Sequence, residues 1–260
     1  MLKTLSYILL FMFYFSRINS QINCNISELA FKNGESLTYE VHYHWGLIWA
    51  NAGLANFSVE FAAFKSSKVF HIVSEGHTYK GYDWFYKVRD KFESWVDTAS
   101  LKPFRYIRNS NEGSNHVYND SYFNFEKKRA VCFKVIKNKI KKDTVKISEC
   151  TFDVMTMIYY ARCINYSKYK PNDKIPISLY LDGEVYDTLY IKYLGPEKIK
   201  TALGEKNCIR FSPLLIAGTI FSGGKGMTVW VTDDEKKIPV LIKTPIVVGE
   251  IQVKIKSIKE

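Results

Sequence analysis

His42 and His44 stand two residues apart in a stretch that reads as a strand, Leu37-Thr-Tyr-Glu-Val-His-Tyr43 and onward. At that spacing both rings project from one side. A strand can offer two zinc ligands this way, with His71, His77 or Asp90 as a third. The other face carries Leu37, Tyr39, Val41 and Tyr43, so the plainer reading is a polar strand face, and no metal is expected. Ser222-Gly-Gly-Lys-Gly226 has the look of a phosphate loop, whose pattern is Gly, four residues, then Gly-Lys-Ser/Thr. Here Gly226 follows Lys225, and Thr219 stands five residues before Gly224, so both ends fail. No cofactor is expected. Gly-x-Ser-x-Gly is absent and no Ser or Cys sits in a nucleophile elbow. Asp153 and Asp234 read as a first-turn helix residue and a turn residue. No catalytic residue is assigned, although carboxylates that the fold brings together would suffice for sugar hydrolysis.

Aromatic residues are the surplus. Phe, Trp and Tyr make up 15% of the 260 residues, and Trp45, Trp49, Tyr79, Tyr82, Trp84, Phe85 and Tyr86 crowd into one third of the chain. Most of these rings are expected to fill a large β core. Trp45, Trp49, Tyr82 and Trp84 are the ligand-binding candidates, as an aromatic groove or the lining of an apolar cavity.

The N-terminus supplies the compartment. Lys3 is followed by an apolar run from Leu5 to Phe15 and then Ser16-Arg17-Ile18-Asn19-Ser20, the layout of a signal peptide over 1–20 with cleavage between Ser20 and Gln21. The run is too short to span a bilayer, and no later run is long enough, so no transmembrane span is expected in the mature chain. Gln21-Ile22-Asn23 lacks the small residue that lipidation of Cys24 requires. The expectation is a soluble exported protein: periplasmic, in the cell envelope, or secreted.

Net charge is +11, carried by 30 Lys against 7 Arg. Arg is the residue of choice for phosphate forks, so nucleic-acid binding is not expected. A lipid or another envelope component is the expected partner, and Lys127 to Lys146 reads as a solvated hairpin able to meet anionic headgroups. Nothing in the sequence sets an oligomeric state.

Cys24, Cys132, Cys150, Cys163 and Cys208 would lie in an oxidising compartment, where disulfides are favoured. With Thr151 to Arg162 helical, Cys150 and Cys163 are about 20 Å apart along the axis, out of bonding reach. Cys132–Cys150 requires a hairpin near Ile140-Lys141-Lys142. Cys150–Cys208 is equally allowed, as are five buried thiols.

The elements that must position these residues are mostly strands. Period-two segments run over 37–43, 56–61, 68–73, 88–96, 103–108, 121–125, 129–136, 144–148, 174–181, 185–193 and 208–211. Asn109 to Gly113 reads as a loop and Gly195-Pro196 as a break. Tyr82 to Tyr86 reads as a short helical turn, and Asp182-Gly183 as a hairpin turn. Met227 to Lys243 reads as strand, Asp-rich turn and strand around Trp230, with Pro239 near the second strand's start or at an edge. One amphipathic helix is predicted over 151–162, with Thr151 as its N-cap. Strands do not alternate with helices, so a parallel sheet is disfavoured. The expectation is a mainly β fold: a single antiparallel, strongly curved sheet or barrel-like sandwich, in one domain over 21–260. The best place for a second domain to begin is Pro171-Asn172-Asp173.

Several clusters form a pattern. They are Phe31-x-x-Gly34-Glu35-x-Leu37-x-Tyr39; Val88-Arg89-Asp90 with Phe92-Glu93-Ser94; and Cys150-Thr-Phe-Asp-Val-Met-Thr-x-x-Tyr-Tyr-Ala-Arg162. Gly195-Pro-Glu197, Cys208-Ile-x-Phe-x-Pro213, Gly218-x-x-Phe221 and Trp230-Val-Thr-Asp-Asp-x-x-x-Ile-Pro239 complete it. Together they resemble the bacterial family known as domain of unknown function 3108, across essentially the whole mature chain. The resemblance implies an exported, mostly β protein and brings no catalytic residues.

Two functions follow as expectations. The first is a non-enzymatic envelope protein that binds an apolar or lipid-like ligand, or a partner, in the concavity of a curved sheet. The alternative is an envelope glycan hydrolase whose carboxylates are assembled by the fold.

Overall fold

The computed structural model describes residues 22, 24–136, 139–214, 226–246 and 249–260. The expected signal peptide over 1–20, its Ser20/Gln21 cleavage point and most of the glycine-rich 218–226 loop lie outside these residues.

The period-two segments form strands, and nearly all pair with their sequence neighbour. A first meander comprises β1 (Ser36–Trp45), β2 (Ile48–Phe64), β3 (Ser67–Thr78), β4 (Arg89–Asp97), β5 (Pro103–Glu112), β6 (Asn115–Asn124), β7 (Arg129–Ile136) and β8 (Lys139–Lys146). After β9 (Thr151–Asp153) and α1 (Val154–Cys163), a second meander comprises β10 (Lys174–Leu181), β11 (Glu184–Thr201), β12 (Gly204–Pro213), β13 (Thr228–Thr232), β14 (Pro239–Pro245) and β15 (Glu250–Lys259). The two join where β15 pairs with β1, giving one sheet of 15 strands with β8 and β9 at its edges.

The sheet is therefore mainly β, as expected, but mixed rather than purely antiparallel, because β9 and β10 pair in parallel. It also departs from the expected strongly curled barrel: β8 and β9 exchange no ladder, and the sheet stays open. Its two wings face each other and meet through side chains. The Tyr180 hydroxyl on β10 donates to Ser121 Oγ on β6 at 2.8 Å. Asp182, in the β10–β11 turn, accepts from Asn119 at 2.6 Å and pairs with Arg108. That turn is the expected one, with Asp182 and Gly183 both at positive φ.

Helix α1 packs against β3, β4, β9 and β10, between the wings. It is not amphipathic as predicted. Met155, Thr156, Met157, Tyr159, Tyr160, Ala161 and Arg162 are all buried, as befits a helix enclosed on nearly every side. Residues 151–153 are extended instead of helical, since ladder pairing with β10 outweighs local preference. The N-cap is Asp153, not Thr151; its carboxylate accepts from Thr156 N at 3.0 Å.

Three other boundaries differ. Asn109 to Glu112 continues β5, paired with β6. The Lys-rich hairpin forms, but its second strand, β8, covers Lys139–Lys146 instead of 144–148. Gly195-Pro196 is a bulge inside the 18-residue β11, with Gly195 at φ 95°, a conformation that only glycine takes without strain. The sheet continues past Pro171 to Asp173.

One disulfide, Cys24–Cys150, ties the N-terminal segment to the approach of β9, and Cys132, Cys163 and Cys208 are free thiols. Neither Cys132–Cys150 nor Cys150–Cys208 forms.

Candidate functional site

In a meander, alternate turns lie at the same end of the sheet. The turns β1–β2, β3–β4, β5–β6 and β7–β8 therefore share one end, and it carries the aromatic candidates. Gly46, at φ 57°, permits a two-residue turn with Leu47 between the paired Trp45 and Ile48. Trp45, Ile48 and Trp49 are each more than half exposed, and Leu47 is fully so. Trp49 is held on one side by His44, ring centroids 3.8 Å apart, and Lys254 Nζ stands 5.6 Å from its ring.

Beside this hairpin the β3–β4 connection is a tied loop containing a 3-10 turn at Lys80–Tyr82, close to the predicted helical turn. Tyr79 N donates to Ala52 O at 2.9 Å, anchoring the loop to β2. Arg89 grips Asp83 at 2.7 and 3.1 Å and the Thr78 carbonyl at 3.1 Å. Hydrogen bonds from Arg89 hold the Asp83 carboxyl below its ordinary range. So braced, the loop presents Trp84 at 84% and Phe85 at 72% exposure, their rings in edge contact. Tyr82 and Tyr86 are less exposed. At the β7–β8 turn Ile136 and Ile140 are also exposed, with Lys139, Lys141 and Lys142 beside them.

Sequence reading singled out Trp45, Trp49, Tyr82 and Trp84, as an aromatic groove or the lining of an apolar cavity. The fold gathers them at the turns of one end of the sheet, where all four are exposed, while α1 packs against β3, β4, β9 and β10. Leu47, Ile48, Ile136 and Ile140 were missed. Each reads as strand filler until its place in a turn is known, and the one signal was apolar residues beside a turn-forming Gly or a Lys run. Lone exposed apolar residues are ordinary; here two neighbouring turns, β1–β2 and β3–β4, are tipped with them, and the β7–β8 turn lies beyond the β5–β6 turn.

The histidines do other work. His42 Nε2 lies 3.4 Å from Glu40, and His44 Nε2 lies 3.0 Å from the Gly46 carbonyl. His71 Nε2 is 3.1 Å from Glu93 and its ring stacks on Trp95; burial pushes its pKa down. Among the described residues no group of three or more His, Cys, Asp or Glu stands close enough to hold a metal ion, and no helix is long and apolar enough to cross a membrane.

The carboxylates singled out from sequence are structural. Asp153 accepts from Ser94 Oγ and Thr156 Oγ1, each at 2.7 Å, and burial raises its pKa. Asp234 Oδ1 accepts from Thr232 Oγ1 at 2.7 Å and from Lys236 N and Lys237 N at 3.0 Å, closing the β13–β14 turn. Trp230 Nε1 donates to Glu197 at 3.1 Å, and Glu197 also meets Arg210 at 2.7 Å. The clustered residues of the sequence pattern thus meet in space as polar ties between strands.

Comparison with known proteins agrees with this picture. The crystal structure of a beta-barrel-like protein of domain of unknown function DUF1849 from Brucella abortus is similar over 87% of this chain and 97% of that one. The TM-score is 0.55 and the identity 11%, a likeness of fold alone. A putative exported protein with YmcC-like fold from Bacteroides fragilis covers similar shares, 88% and 97%, at a TM-score of 0.33 and 10% identity, too distant to bear on the fold. None of the curated proteins compared with the chain matches it. The family described as protein of unknown function (DUF3108) matches residues 38–256, the span that holds β1 to β15 almost entirely, and this chain belongs to it.

Proposed function

We propose that the protein is an exported envelope protein, with a signal peptide over 1–20 and one domain over 21–260, that is not an enzyme and docks an apolar, lipid-like surface with its aromatic end. The observation that carries this reading is the braced β3–β4 loop, which holds Trp84 and Phe85 in water beside a hairpin tipped with Leu47, Ile48 and Trp49. Trp and Tyr suit the border between apolar and wet surroundings. Lys80 and Lys87 lie in the β3–β4 connection and Lys254 stands by Trp49, and these cations favour anionic headgroups. The alternative, a glycan hydrolase, would need two carboxyls about 5–10 Å apart. Asp90 stands beside Glu112, whose pKa is raised by burial and by the charge of Asp90.

The test is sedimentation of the mature chain with vesicles of phosphatidylglycerol and phosphatidylethanolamine, read together with tryptophan emission. Binding with a blue shift is expected, weakened by Trp84→Ala with Phe85→Ala and by Leu47→Ser. Equal sedimentation of wild type and these variants, or none at all, would overturn the reading.

A further inference from the structure

The face of the first meander turned away from α1 carries a second arrangement, at the opposite end from the aromatic turns. Because side chains alternate along a strand, burial of Ser94, Tyr106 and Ser121 against α1 and β10 puts Trp95, Arg105 and Tyr122 on the outer face. His71 stacks on Trp95 with centroids 4.3 Å apart, and the Arg105 guanidinium lies over both Trp95 and Tyr122, at 5.1 and 5.2 Å. Asp120 fixes Arg105 by two hydrogen bonds, at 2.9 and 2.8 Å, and accepts from the Tyr122 hydroxyl at 3.1 Å. The result is a ledge of rings with locked orientations. It leads into a cleft of about 290 Å³ whose lining includes Phe64, Lys65, Phe104, Tyr122, Asn124 and Arg129. Phe64 and Phe104 stack on each other at 5.8 Å.

Arg129 is the anomaly. Arg89, Arg105, Arg108, Arg162 and Arg210 are each paired with a carboxylate. Among the described residues Arg129 has no such partner, and Lys65, which shares its cleft, has none either; its ammonium lies 5.9 Å from the Phe64 ring. Two unpaired cations at an aromatic cleft call for an anion attached to something with an apolar face. The cleft is at the small end of ligand sites, which run about 300–1,000 Å³, so it suits one ring rather than a lipid chain. Along the ledge itself the charges differ: Glu93 and Asp120 accompany the rings. These carboxylates are paired, Glu93 with His71 and Asp120 with Arg105. Their free lone pairs accept hydrogen bonds from hydroxyls, which a sugar unit presents around its ring, so a sugar is favoured there.

We propose that this ledge and cleft bind an acidic glycan. A negatively charged sugar unit sits between Lys65 and Arg129, and the next unit lies against Tyr122 and Trp95. The site is independent of the lipid-facing end.

The test is titration of the mature chain, by calorimetry, with a short oligouronide, a neutral oligosaccharide of equal length, inorganic phosphate, and an oligothymidylate. Preferential binding of the oligouronide is expected. Arg129→Gln should weaken it about tenfold, as loss of a charge-assisted pair does, and Trp95→Leu should weaken it by a similar factor. Arg129 is exposed and has no ion-pair partner, so Arg129→Gln should fold normally, checked by its unchanged urea midpoint. Equal affinity for the neutral sugar, tighter binding of phosphate or oligothymidylate, or indifference to Arg129→Gln would each overturn the proposal.

Discussion

Arg162 and Glu35, 127 residues apart in sequence, face each other as a bidentate pair with 2% of either side chain exposed. Nη1 donates to Oε1 at 2.6 Å and Nη2 to Oε2 at 2.8 Å. The remaining donors reach the Ala30 carbonyl at 2.9 Å and the Lys236 carbonyl at 2.9 and 3.1 Å. Burial alone would lower the Arg162 pKa; the hydrogen bonds and charge of Glu35 outweigh it and leave it raised. One guanidinium therefore joins the C-terminal turn of α1 to the segment before β1 and to the β13–β14 turn.

Breaking one side of this pair leaves a buried charge without its partner. Glu35→Ala or Arg162→Ala should each cost about 3–5 kcal/mol, read as a fall in the urea midpoint. Arg162→Met combined with Glu35→Leu should recover most of the loss, because no charge is then buried. A double variant as unstable as either single one would mean the backbone ties to Ala30 and Lys236 carry the stability instead.

The disulfide acts on the same segment. Cys24–Cys150 spans a sequence separation of 126 residues, and a loop of that size restricts the unfolded chain strongly. Reduction, or Cys24→Ser with Cys150→Ser, should lower stability by about 2–5 kcal/mol. Denaturant unfolding with and without reductant measures it, and the Cys-to-Ser variant should show no reductant effect.

Tyr159 lies beside Arg162, and its hydroxyl is buried without a hydrogen-bond partner. Burial pushes its pKa well up. Tyr159→Phe keeps the ring's edge contact with Phe31, at 4.8 Å, and removes the unsatisfied group. It should stabilise by about 1 kcal/mol; a loss of stability would reveal a partner for the hydroxyl.

The same tie explains how much of the molecule was legible. The strands of both meanders were readable because a half-buried sheet writes a period of two into the chain. Glu35, Arg162 and Asp234 stood out within the recurring pattern, yet locally each reads as a loop, helix or turn residue. Their shared role exists only through space. The Asp234 turn was recognisable from its chemistry; that it delivers the Lys236 carbonyl to Arg162 was not. Residues 151–153 misled because a parallel partner overrode local preference, and Gly195-Pro196 because a bulge and a break use the same residues. The aromatic end was half visible, since Trp84 names itself while Leu47 and Ile140 are exposed only by their turns. Disulfide pairing has no local signal at all.

Asp153 gives the pH dependence. It is fully buried, accepts from Ser94, Thr156 Oγ1 and Thr156 N, and its pKa is raised because burial outweighs those hydrogen bonds. The folded state therefore holds the proton more tightly than the unfolded chain does. For this group the stabilising contribution is full below the ordinary carboxyl pKa, about 3.9, and is lost as pH rises through the higher folded value. Asp153→Asn keeps an acceptor for the helix N-terminus and does not titrate. The stability of wild type relative to Asp153→Asn should thus fall as pH rises above the ordinary carboxyl value, about 3.9, measured by urea unfolding across a pH series. Asp153→Ala should cost about 0.5–2 kcal/mol for the lost cap at every pH. A wild-type advantage that grows with pH would instead show that the hydroxyls of Ser94 and Thr156 more than offset the burial of the charge.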